Sequence, residues 1–297
     1  MKYGITFVVT TYNNAKQTVE TIESIQRCHF KFNYEIIVVD DASDDTLYLK
    51  STVKKYLNIV LLIKEKNEGV QNCRNMGVRN ASYDYIMMID GDDKLNSELI
   101  RQHPEYYEDA LQKLSEDDNI AFIHNYSKMF GDFSGLTISS YPLTEKLIVN
   151  KHHVPTSIIF RKNDIIDQDP YSKKIEKWQD WSFGVKLINS RFKVGKKNEV
   201  LTLSFPLHLY RIHDAPRISN KNISEYNMTL LTVKENPEIF FQYYHTNNIN
   251  MIAQQLVDKK PSRLQELIQV AKADDDLAYS IVAERTAFLG QKLSNIP

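Results

Sequence analysis

The sequence predicts an α/β protein: a mostly parallel sheet flanked by helices, with a helical C-terminal extension. Three observations carry this. Short runs rich in Val and Ile recur without polar alternation, as strands buried on both faces require. Segments with apolar residues at helical spacing separate them. After Pro216 the strand-like runs stop and helical periodicities take over.

Ile5–Val9 reads as the first strand, and Val19, Ile22 and Ile25 mark one face of the helix that follows. Ile36–Val39 is a second strand ending on Asp40-Asp41. Residues 44–57 read as a helix with Leu47, Val53 and Leu57 on its inner side. Ile59–Ile63 is a third strand, residues 70–81 a short helix, and Tyr85–Ile89 a fourth strand. Residues 96–117 look helical and Ile120–Ile123 strand-like. Periodicity weakens over 125–175, where Ile158–Phe160 is the one strand-like run. Trp178–Ile188 reads as a helix. A strand near 198–205 leads to Pro206 and then to Leu207–His213. Residues 224–297 hold helical patterns broken at Pro237 and Pro261.

Composition narrows the function. The 297 residues are 42% hydrophobic and 25% charged, which excludes a disordered or fibrous chain. Lys plus Arg number 37 and Asp plus Glu 38, so the net charge of −1 argues against a general nucleic-acid binder. Two cysteines, Cys28 and Cys73, make neither a disulfide framework nor a four-thiolate zinc site, and a reduced, cytoplasmic setting is the simpler reading. Ile5–Val9 is too short for a signal-peptide core. No stretch approaches the roughly 18 apolar residues that span a bilayer. Membrane contact, at the inner face, would therefore be peripheral.

In open parallel sheets the ligand crevice lies beyond the carboxyl ends of the strands. Here those ends are Thr10-Thr11-Tyr12-Asn13-Asn14, Asp40-Asp41-Ala42-Ser43-Asp44-Asp45, Asn67-Glu68-Gly69 and Asp90-Gly91-Asp92-Asp93. Neither G-x-G-x-x-G nor G-x-x-x-x-G-K-[ST] occurs, so the usual dinucleotide and P-loop phosphate cradles are absent. A divalent cation on the acidic tip would supply the missing positive charge, and carboxylates suit Mg²⁺ or Mn²⁺. An acidic turn or helix cap is the competing reading of such a tripeptide. Its place after a buried strand favours cation binding, because crowded like charges need a counter-ion.

Val8–Asn13, Glu35–Ser43, Asn67–Val70 with Cys73–Gly77, and Tyr85–Asp93 together resemble a family 2 glycosyltransferase of the GT-A (Rossmann-like) fold, an inverting enzyme of the bacterial cell-surface glycan type. Thr10 stands where the family often has proline, and Gln71-Asn72 replaces a small-residue stretch. The resemblance implies that Thr10, Tyr12 and Asp40 hold the nucleobase, that Arg74 lies near base and phosphates, that Asp90 meets the ribose, and that Asp92 binds the metal. In Trp178–Phe183 it implies that Asp180 is the general base, with Gln179 replacing a usual Glu. A helix N-cap beside core tryptophans is the alternative for Asp180. Tyr210–His213 with Arg217 resembles a later motif: His213 as metal ligand or phosphate contact, Arg211 and Arg217 on the diphosphate. Strand alternation puts Arg211 and His213 on one face.

The resemblance thus implies a domain over 1–219, with a nucleotide-binding half at 1–95 and an acceptor half at 96–219, and a helical extension at 220–297. It implies Mn²⁺- or Mg²⁺-assisted transfer of a sugar from a UDP-sugar to a hydroxyl of a glycan, teichoic-acid-like or lipid-linked acceptor. The extension would bind acceptor, form a homo-oligomer, touch a membrane or pack on the catalytic domain. A sugar nucleotidyltransferase, an inactive carbohydrate-binding module and an interaction protein on the same scaffold remain as alternatives.

Overall fold

The computed structural model describes residues 2–165, 169–213 and 222–294. Strands β1 (Ile5–Thr11), β2 (Tyr34–Asp40), β3 (Ile59–Ile63) and β4 (Tyr85–Asp90) are parallel, in the spatial order β3-β2-β1-β4. Helices α1 (Ala15–Gln26), α2 (Thr46–Val53) and α3 (Val70–Asn80) connect them. Every residue of β1 is buried, as a central strand covered on both faces must be. Ile5, Phe7 and Val9 join the core that holds Val19, Ile22 and Ile25 of α1, while Val8 joins the core that holds Cys73 and Val78 of α3. The two-residue period of the strand thus feeds two separate cores.

Beyond β4 the sheet is mixed. The chain continues through β5 (Lys94–Leu95), α4 (Ser97–Gln102), α5 (Glu105–Glu116), β6 (Ile120–Gly131), β7 (Gly135–Leu136), α6 (Glu145–Val149), β8 (Ile159–Arg161), α7 (Gln179–Lys193) and β9 (Glu199–Ile212). The order runs on as β4-β8-β6-β9-β5, with β7 on β6. β8 is antiparallel to both β4 and β6, whereas β6 and β9 are parallel. The sheet is thus mostly parallel, as expected: β1 to β4 run parallel, as do β6 and β9, while β8 and β5 add antiparallel pairs.

Three local expectations are corrected. Leu47 and Leu57 face solvent at 79% and 78% exposure. The inner face of α2 is Leu49, Thr52 and Val53, at helical spacing, and the helix ends before Leu57. Residues 96–117 form two helices, because Pro104 forces His103 out of the helical region (φ −133°, ψ 64°). The segments 198–205 and 207–213 belong largely to the single strand β9. Its register with β6 jumps from Asn125↔Leu203 to Tyr126↔Pro206, so a bulge at 204–205 accommodates the proline.

Helices α8 (Glu225–Glu235), α9 (Pro237–Tyr244), α10 (Ile249–Asp258), α11 (Arg263–Ala273) and α12 (Asp275–Ser294) follow. Their Val233, Phe240, Ile252, Val270 and Ile281 join the α3-side core. Among the described residues no helix is long and apolar enough to cross a membrane. The expected boundary at 219/220 lies outside the described residues, as does Arg217.

Close contact between α3 and β1 fixes the height of the α3 side chains over the strand tips. A Cβ on Gly77 would lie 2.2 Å from Val8 Cγ1. Gly77→Ala is therefore expected to destabilise the fold by about 1–3 kcal/mol, as overpacking does. A lower urea midpoint with unchanged slope checks this; an unchanged midpoint would contradict the close fit.

Candidate active site

At the carboxyl ends of β1 and β4 the backbones meet tightly. Thr10 and Asp90 are register partners, and the Gly91 amide donates to the Thr10 carbonyl at 2.9 Å. A Cβ on Gly91 would stand 2.5 Å from that carbonyl oxygen, so only glycine allows the approach. The Thr21 hydroxyl of α1 donates to the carbonyls of Gly91 (3.1 Å) and Asp93 (2.6 Å), locking the acidic turn. Tips of β1 and β2 are joined in turn: the Asn13 amide donates to Ser43 Oγ at 2.9 Å and the Asp44 amide to Asn13 Oδ1 at 2.8 Å.

These tips and the start of α7 enclose a cavity of about 450 Å³. Thr10, Tyr12, Arg74, Asp90, Asp92 and Asp180 line it, as do Arg211 and His213 from the end of β9. Tyr12 is half exposed on the wall.

Asp40 is not on the wall. It is fully buried, and its carboxylate accepts from the Ser43 amide (3.1 Å), the Ser43 hydroxyl (2.5 Å) and the Thr46 hydroxyl. It holds the β2–α2 turn, as strand-end capping does. Asp41 reaches the cavity instead. It accepts from Lys64 Nζ (2.8 Å) and from the amides of Glu68 (2.9 Å) and Gly69 (2.7 Å). Burial works to raise the Asp41 carboxyl, but Lys64 and the two amides outweigh it and hold it below the usual carboxylate range.

Arg74 is the hub. Its Nη2 donates to Asp90 Oδ1 at 2.7 Å and its Nη1 to Asp180 Oδ1 at 2.9 Å, joining residues far apart in sequence. The side chain is buried and its guanidinium lies 4.8 Å from the Tyr171 ring centroid. Burial disfavours the charge, yet Asp90 and Asp180 outweigh that and keep Arg74 firmly protonated. Asp180 itself is about 29% exposed and sits in the first turn of α7, where the helix dipole favours a carboxylate. Trp178, just before the helix, adopts a left-handed conformation (φ 58°, ψ 35°). That costs a non-glycine residue energy and turns the chain so that the indole lines the cavity. Trp181 instead packs inside, its Nε1 donating to the Ile148 carbonyl at 2.8 Å.

Asp92 Oδ2 lies 3.0 Å from His213 Nε2. Arg211 braces this corner: its Nε donates to the Asp92 carbonyl (2.7 Å), its Nη2 to Glu20 (2.6 Å) and its amide to Asp93 Oδ1 (2.8 Å). Asp93 is 2% exposed, 3.2 Å from His208 Nε2, and burial pushes its carboxyl up to about 6. The sequence reading missed Asp93 and His208 as the support beneath the acidic tip. Their shared burial is a tertiary event that no spacing announces.

Among the described residues no group of three or more His, Cys, Asp or Glu side chains gathers into a metal site. The pair Asp92–His213 nevertheless fits a divalent ion whose other ligands come from substrate phosphates: the carboxylate suits Mn²⁺ or Mg²⁺, and the imidazole favours Mn²⁺ of the two.

A sheet with acidic tips, a facing carboxylate on a helix start and a cavity between them define a glycosyltransferase of GT-A type. The family model "Glycosyl transferase family 2" matches residues 6–168, more than half of the chain, and the protein belongs to that family. The chain is 26% identical over 206 residues to an uncharacterised glycosyltransferase of Haemophilus influenzae, covering 67% of each. It is 26% identical over 198 residues to the chondroitin synthase of Escherichia coli, covering 64% of this chain but 26% of that one. Staphylococcus aureus TarS (residues 1–349), solved in complex with UDP-GlcNAc, superposes with a TM-score of 0.60 at 19% identity, over 92% of this chain and 71% of that one, and so shares the fold.

Proposed function

We propose that this glycosyltransferase moves a sugar, with inversion, from a UDP-sugar to a hydroxyl of a glycan or cell-surface polymer on the cytoplasmic side of the membrane. The observation that carries the reading is the Arg74 bridge, which sets Asp180 across the cavity from the acidic tip. A neighbour solved with UDP-GlcNAc supports the donor class, and a relative named chondroitin synthase supports a polymer acceptor.

In this reading Tyr12 and Asp41 face the nucleobase. Tyr12 offers an exposed ring to stack on, and Asp41 has a carboxylate on the wall that accepts from a base N–H. Asp40 leaves that role and keeps the turn. Thr10 and Asp90 flank the ribose. Asp92 and His213 hold the cation, Arg211 adds positive charge beside the diphosphate, and Arg217 remains an expectation. When bound, the cation neutralises charge on the departing diphosphate. Asp180 takes the proton from the acceptor hydroxyl as its oxygen attacks the anomeric carbon. Arg74 orients that carboxylate by pairing with one oxygen, leaving the other for the proton.

UDP release with acceptor present, across a panel of nucleotide sugars with MnCl₂, tests the reading. One UDP-sugar should be consumed in proportion to product. Donor consumption by a guanosine or cytidine sugar alone would contradict it. Asp92→Ala should remove the gain in UDP affinity that Mn²⁺ gives, measured calorimetrically with and without the metal. Identical metal dependence in wild type and variant would refute the ligand role.

A further inference from the structure

The chain approaches α7 over residues 169–178, which form neither helix nor strand. Tyr171 and Ile175 of this stretch are buried, so their backbone groups need partners that no ladder supplies. One face of α3 supplies them. The Asn75 side chain makes a two-way pair with Tyr171: its Nδ2 donates to the Tyr171 carbonyl at 2.8 Å, and the Tyr171 amide donates to its Oδ1 at 2.9 Å. Gln71 Nε2 donates to the Ile175 carbonyl at 2.9 Å. Arg79 pairs with Asp169 at the start of the stretch.

Gln71, Asn75 and Arg79 are four residues apart, so they form a row along α3, and Arg74 stands beside that row. The Tyr171 ring lies 4.8 Å from the Arg74 guanidinium and 4.8 Å from the Phe183 ring of α7. Helix α3 thus holds Asp180 twice. Arg74 holds the carboxylate, and the row of side-chain amides holds the backbone that leads into α7. Gly77 presses α3 onto Val8 of β1, so both holds are measured from the strand that ends at the cavity. Gln71 and Asn75 are themselves buried outside the residues that line the donor cavity. Gln71 is also one of the two residues at which this chain departs from the small-residue stretch that the family resemblance leads one to expect.

We propose that Gln71 and Asn75 are positioning residues for Asp180: by gripping the backbone at Ile175 and Tyr171 they fix where α7 begins, and so the reach of its carboxylate toward the acceptor hydroxyl. This rests on the transferase reading above and adds the backbone arm that its base requires. A base must stand within hydrogen-bond reach of the proton it takes, and a displacement of about 1 Å costs up to roughly 100-fold in rate.

The test is a double-mutant cycle on the full chain. Gln71→Met keeps the length and helix preference of the side chain and removes the donor. Its kcat for sugar transfer should fall roughly 10–100-fold, while the KM for the donor and the affinity for UDP stay at wild-type values. In the Asp180→Asn background the same substitution should cost almost nothing further, because a group that acts through Asp180 has nothing left to place. Asn75→Ser, too short to span both backbone groups of Tyr171, goes through the same cycle, and urea midpoints show that each variant is folded in the assay. Unchanged kcat in either single variant, a loss carried by KM or UDP affinity, or a fall of equal size in the Asp180→Asn background overturns the inference. Those results leave the transferase reading standing as long as wild type consumes donor and Asp180→Asn is slow. Absent donor consumption by wild type sinks the transferase reading instead.

Discussion

Asp180→Asn lowers transfer turnover by roughly 10²–10⁴-fold, the usual contribution of a general base, while UDP affinity stays close to wild type. The amide keeps the size of the carboxylate and an oxygen for Arg74, so the 2.9 Å contact and the start of α7 survive. What is lost is the ability to take a proton. The proposed nucleobase wall at Tyr12 and Asp41 and the acidic corner at Asp92 belong to other strand tips and are untouched. Product formation and UDP titration on the same preparation separate the two effects. Near wild-type turnover would place the base elsewhere.

Arg74→Ala has the largest effect on the fold and the site together. It leaves Asp90 and Asp180 facing one another without the cation that joins them. Breaking a buried ion pair costs about 3–5 kcal/mol. The two carboxylates are 32% and 29% exposed, so water softens the loss and the lower end of that range applies. Activity falls with it, because Asp180 loses its orientation. Arg74→Lys should recover part of the stability and little of the activity, since one ammonium cannot hold two carboxylates in a fixed fork. Urea midpoints and turnover for both variants check this. Wild-type midpoints throughout would mean that the bridge contributes nothing to folding.

The first four strands were legible because burial on both faces leaves a signature in the chain: Val8, Ile37 and Met88 feed one core while Phe7, Ile36 and Met87 feed the other, so apolar residues run on unbroken. Leu47 and Leu57 misled because they are apolar and close to helical spacing, yet the helix rotates Leu49 and Val53 inward and stops early. Pro206 looked like a strand end; a two-residue bulge absorbs it, which depends on the partner strand.

The acidic tip was legible because unlike spacing or propensity it concentrates charge in four consecutive residues. Asp40 and Asp41 could not be told apart in sequence, since they are adjacent and identical. The turn to α2 takes the first through Ser43 and Thr46, while the second pairs with Lys64 and borders the cavity. Asp93 and His208 come from distant segments and meet only in the fold.

The central claim is that Asp180 drives one direct displacement on a nucleotide-bound sugar. The anomeric configuration of the first product, followed by proton NMR from the start of the reaction, tests it most directly. The account predicts a configuration opposite to that of the donor sugar; retention of the donor configuration would contradict it.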